Sequence, residues 1–101
     1  MNVLTFYVGE KQHHDGMSLY EWLLKEAREL GVHGGSAFRA IAGFGRHGRL
    51  HDEMFFELAG ELAVKVEFIV DDKLAEQMLQ RVHALNLNIF HVRYKVESGI
   101  V

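Results

Sequence analysis

An α+β fold, with four antiparallel strands in one sheet and two helices on one of its faces, is what this 101-residue chain predicts. Three observations carry that expectation. Strand-like and helix-like segments alternate in the order β-α-β-β-α-β. Residues 63–70 alternate with period two, the spacing of a half-buried strand. Each helix-like segment opens on a capping residue and carries one apolar stripe.

Val-Leu-Thr-Phe-Tyr-Val at 3–8 is β-branched and aromatic without a breaker, which predicts a strand ending at Gly9. Ser18 followed by Glu21 has capping-box spacing, and Leu19, Leu23, Ala27 and Leu30 then recur on one helical face before Gly31, a natural stop. A second strand is expected over 36–42. In 63–70, Val64, Val66, Phe68 and Val70 face one way, and Ala63, Lys65, Glu67 and Ile69 the other. Asp72 is read as the cap of a second helix bearing Leu74, Met78, Val82 and Leu85. Residues 86–88 read as a turn, and 89–96 as a last strand with Phe90, Val92, Tyr94 and Val96 opposite His91, Arg93 and Lys95. This is the split βαβ order of a ferredoxin-like domain, spanning 1–101 as one unit.

The face away from the helices is expected to carry Tyr7, Arg39, Lys65, Glu67, His91, Arg93 and Lys95. Such a face is either solvated, as antiparallel sheets often are, or an oligomer interface in which Arg39 and Glu67 pair.

Composition narrows the function classes. The formal charge of −3 argues against broad nucleic-acid binding, which needs a basic face. No cysteine is present, so disulfides and thiolate metal sites are out of reach. No apolar run is long enough to insert in a membrane, and no signal peptide precedes the first strand, so a cytoplasmic protein is expected. Asp52-Glu53 and Asp71-Asp72 are adjacent in sequence, which suits helix starts better than acid–base chemistry, and no nucleophile stands beside a base. A non-catalytic protein is the expectation.

The binding chemistry concentrates at 34–51. Gly43-Phe44-Gly45 is followed by Arg46, His47, Arg49 and His51, so an unobstructed backbone lies beside cations suited to an anion such as phosphate. Gly43 to Gly48 also matches G-x-G-x-x-G, but no helix opens from it, so a dinucleotide-binding turn is set aside. His47 and His51 form the alternative, a zinc or copper site, although Gly48 between them disfavours a helix that would align them.

Several segments together resemble a known family: Tyr7-Val8-Gly9-Glu10 with Gly16, Leu19-Tyr20-Glu21-Trp22-Leu23, and the run G-x-S-A-x-R-x-I-x-G-F-G over 34–45. They are similar to PII-like signalling proteins gathered in a domain-of-unknown-function family related to nitrogen-regulatory PII proteins. The resemblance implies a ferredoxin-like homotrimer binding an adenine nucleotide (AMP, ADP or ATP) in clefts between subunits. Residues 46–60 would then form a signalling loop for an unidentified target protein. It places Arg39, Glu10 and His14 at family positions, and Arg93 and Lys95 become further phosphate contacts. The chain departs from PII proteins at 83–88, where a glycine-rich, lysine-containing phosphate loop has neither glycine nor lysine, and at 46–60, which contains no tyrosine.

Overall fold

The structure, a computed structural model, describes residues 1–44 and 62–101. The chain runs through β1 (Asn2–Gly9), β2 (His13–His14), β3 (Met17–Ser18), α1 (Leu19–Leu30), β4 (Gly35–Arg39), β5 (Ala63–Val70), α2 (Asp72–His83) and β6 (Phe90–Lys95). The four-stranded sheet has the order β4-β5-β1-β6 and every pairing is antiparallel. The expected fold class is therefore the observed one, with β4 and β6 at the two edges.

The core lies between the sheet and the helices. Leu4, Phe6 and Val8 from β1 meet Val66, Phe68 and Val70 from β5 beneath Leu19 and Leu23 of α1 and Ala75 and Met78 of α2. Burying a leucine such as Leu23 contributes about 1.5–3 kcal/mol. Phe6 and Phe68 meet edge to face, with ring centroids 6.5 Å apart.

Both helices start and stop for local reasons. Ser18 Oγ accepts from the Glu21 backbone N–H and donates to Glu21 Oε1 at 2.6 Å, a variant of the capping box in which Glu21 takes the hydroxyl proton. Gly31, at φ 96, ends α1, and the Val32 N–H bonds back to the Ala27 carbonyl at 3.0 Å. For α2 the cap is Asp71 rather than Asp72, because its side chain accepts from the Leu74 N–H at 2.8 Å. Asp72 is the first helical residue instead.

One feature has no counterpart in the order expected from the sequence. Residues 13–18 form a small hairpin, His13 opposite Ser18 and His14 opposite Met17. Asp15 and Gly16 turn it at φ 57 and 81, the left-handed pair that Asp-Gly tolerates.

The faces of β6 are inverted relative to expectation. Leu4 lies opposite Arg93, Phe6 opposite His91 and Asn2 opposite Lys95, so the polar set stands on the helix side. Phe90, Val92 and Tyr94 stand on the open face. Alternation fixes two sets of side chains but not which one meets the helices. Arg39 is likewise on the helix side, opposite Val64. It does not meet Glu67, which instead lies 3.8 Å from Lys65.

Candidate functional site

The sheet register divides the sequence-predicted site between two diagonally opposed corners. Arg39 ends β4 on one edge, level with Val64 and Val8. Arg93 and Lys95 lie on the other edge, level with Leu4 and Asn2 at the far end of β1. Within one chain these cations do not converge.

At the first corner Arg39 Nε meets Glu10 Oε2 at 2.7 Å. Glu10 is positioned because its N–H extends the ladder past Gly9, donating to the Leu62 carbonyl at 3.2 Å. Arg39 is 63% exposed, so the pair sits in water, and among the described residues Glu10 is the carboxylate it meets. Beyond it, Ile41 and Phe44 stand 94% and 91% exposed. A Cβ built on Gly43 meets nothing within 4 Å. His14, in the hairpin, meets Trp22 in a T-shaped ring contact with centroids 5.2 Å apart. Gly45, Arg46, His47 and His51 lie outside the described residues. Among the described residues there is no group of three metal-ligating side chains.

The second corner is an ion network around the start of α2. Asp72 Oδ1 accepts from Lys95 Nζ at 2.6 Å, from Asn2 Nδ2 at 2.8 Å and from Arg93 at 3.3 Å, while Arg93 also pairs with Glu76. The Lys95 hydrogen bond first, then Asn2 and the Lys95 charge, hold the Asp72 carboxyl well below the usual carboxylate range. A depressed carboxyl stabilises the fold above its unfolded value of about 3.9 and loses that contribution as pH falls. Asp72→Asn is therefore expected to lower the melting temperature at pH 7, with a gap to wild type that closes below about pH 4. A gap that stays constant from pH 7 to pH 2 in thermal scans contradicts this role.

A cleft of about 390 Å³ opens between the end of α2, residues 86–89 and β6, with His83, Asn86, Asn88 and His91 at its rim. Residues 86–88, expected as a turn, lie within the segment that departs from the PII phosphate loop. Asn86 and Asn88 at φ 58 and 56 are the residue type that most readily adopts a left-handed backbone after glycine, and the Asn-x-Asn spacing was the available signal.

The open face of the sheet completes the surface. Phe38, Ile69, Phe90 and Tyr94 are each about half exposed on it, around Val3 and Thr5, which are already buried. Lys65 Nζ lies over the Phe38 ring, 5.1 Å from its centroid.

The family model DUF190, described as Uncharacterized ACR, matches residues 1–97. The chain belongs to the DUF190 family. A UPF0166 protein of Aquifex aeolicus (strain VF5) is 31% identical over 80 residues, which is 79% of this chain and 76% of that protein. Among solved structures, a protein of Thermus thermophilus described as a PII-like signaling protein aligns with a TM-score of 0.56. It is 20% identical over 92% of this chain and 81% of that one. At that identity the likeness shows the fold, so this DUF190 chain is PII-like and ferredoxin-like in architecture. Among the described residues no helix is long and apolar enough to cross a membrane.

Proposed function

We propose that this DUF190 protein is a non-catalytic, cytoplasmic PII-like signalling protein. It forms a homotrimer and binds an adenine nucleotide between subunits, beside Gly43-Phe44-Gly45. Binding changes how residues 46–60 meet a target protein, by favouring one of two loop arrangements. The observation that carries the reading is the Arg39–Glu10 corner, which leads directly into a segment where Ile41 and Phe44 are exposed and a Cβ on Gly43 meets none of the described residues within 4 Å.

The split between the corners supports the inter-subunit placement. A ligand meeting Arg39 as well as Arg93 and Lys95 needs cations from two chains. Arg39 is the better placed of these, since among the described residues it is held by one carboxylate. Arg93 and Lys95 already meet Asp72 and Glu76, and would contact phosphate in exchange for those partners. Arg46 adds a further cation in this reading, with Glu10 and His14 at the rim.

Calorimetry with AMP, ADP and ATP is the direct test. Gly43→Val is expected to abolish binding by filling the space beside the backbone while leaving the fold intact, because its Cβ meets none of the described residues within 4 Å. Arg39→Ala is expected to weaken binding about tenfold or more, with a loss that shrinks at high salt. If no adenine nucleotide binds below millimolar concentration while zinc or copper does, a trimeric metal module built on His47 and His51 replaces this reading.

A further inference from the structure

The first corner ties three strand ends together. Arg39, Val64 and Val8 stand in register across β4, β5 and β1. Glu10 follows Val8 by two residues, so its contact with Arg39 Nε at 2.7 Å reaches from the end of β1 to the end of β4, past β5 between them. Beside this pair the Glu10 N–H donates to the Leu62 carbonyl at 3.2 Å, and the Ala40 N–H to the Ala63 carbonyl at 2.9 Å. The chain leaves β4 and returns into β5 beside one ion pair.

Glu10 belongs to a second structure as well. It lies in the turn 9–12, where the Gln12 N–H donates to the Gly9 carbonyl at 3.2 Å and Gln12 Oε1 accepts from the Gly9 N–H at 2.7 Å. The Gln12 carbonyl then accepts from the N–H of Leu19, the first residue of α1, at 2.8 Å. Between these anchors stands the 13–18 hairpin, whose His14 meets Trp22, the single tryptophan of the chain. The path from Glu10 to Trp22 is therefore short, and its backbone is hydrogen-bonded at both ends.

An anion that takes the Arg39 guanidinium competes with a carboxylate already bound to it. Arg39 is exposed and Glu10 partly so, which makes the pair weak enough for a phosphate oxygen to break. We infer that Glu10 is a built-in competitor at Arg39: an anion bound there displaces the Glu10 carboxylate, and the release shifts the 10–18 segment against Trp22. The inference rests on the reading of Arg39 as an anion contact. It gives that contact a second output, on the hairpin rather than at 46–60, and it needs only one chain.

The test uses pyrophosphate as the anion, so that it does not depend on recognition of adenine. Fluorescence reads Trp22, and NMR reads the amides of 10–18. Pyrophosphate is expected to change both in the wild type. Glu10→Gln should bind pyrophosphate about two- to fivefold more tightly, a gain limited by the small worth of an exposed pair. Its free form should already show most of the fluorescence change, leaving little for pyrophosphate to add. Arg39→Ala breaks the same pair, so it should show the same change when free, yet lose affinity for pyrophosphate. No response of the wild type to pyrophosphate, binding by Glu10→Gln that is no tighter than wild type, or hairpin signals unmoved by removing either partner each overturn the inference. If ATP fails to bind while these results hold, the nucleotide reading falls and the role of Glu10 stands.

Discussion

Gly35→Ala is expected to destabilise the protein by about 1–3 kcal/mol, the usual cost of forcing an extra methyl group into a packed site. Gly35 lies opposite Phe68 on the helix side of the sheet. A Cβ built there falls 2.6 Å from Phe68 Cδ1 and 3.2 Å from Leu24 Cδ2, inside ordinary contact distance. Phe68 is fully buried and cannot swing away without disturbing Phe6. For a chain of this size each kcal/mol corresponds to about 4–8 °C of melting temperature, so the loss is easily read by calorimetry. Combining Gly35→Ala with Phe68→Leu removes the offending ring edge. The pair should therefore be less destabilised than the sum of its members, by about 0.5–3 kcal/mol. A melting temperature unchanged in Gly35→Ala means that β4, an edge strand, moves outward to make room, and refutes the packing argument.

The second large effect concerns assembly. The open sheet face holds Phe38, Ile69, Phe90 and Tyr94 each about half exposed, large apolar side chains that a neighbouring subunit would cover. Both sheet edges, β4 and β6, also lack a partner strand among the described residues. Light scattering at micromolar concentration should return a three-chain mass. Phe90→Glu places a carboxylate on this face, where a neighbouring subunit would bury it unpaired, and should return the mass of one chain. A wild-type protein that scatters as a monomer removes the trimer, and with it any site shared between subunits.

Much of the fold was legible because local signals agreed with the global one. The alternation of 63–70 assigned both faces of β5, since its apolar side is uniformly β-branched or aromatic and its other side includes Lys65 and Glu67. Ser18 and Gly31 bounded α1 through hydrogen bonds that reach no further than a few residues. β6 was not legible in the same way. Both of its sides suit an edge strand, and its orientation is decided by register with β1, a pairing across most of the chain. Arg93 and Lys95 are tolerated on the helix side because Asp72, Glu76 and Asn2 happen to surround them, which no spacing rule reveals. Arg39 turned away from Glu67 for the same reason: its pairing with Val64 fixes its side. The Arg39–Glu10 corner was partly visible, as both residues belong to segments that carry the family resemblance, whereas their contact was not.

The sheet order also constrains how the chain is made. β1 lies between β5 and β6, and among the described residues β4 meets only β5. When the ribosome has released residues as far as Phe44, β1 and β4 are both present, yet in the finished sheet they are separated by a strand not yet synthesised. Neither has a native neighbour to pair with until Ala63–Val70 emerges and slots between them. β1 must then wait again for Phe90–Lys95, the last strand, to cover its other edge. Such late, sequence-distant pairing slows folding and leaves strand edges open to wrong partners meanwhile. A nascent chain stalled near Phe44 thus holds an amphipathic α1 and two strands that are wrong for each other, a natural client for a chaperone.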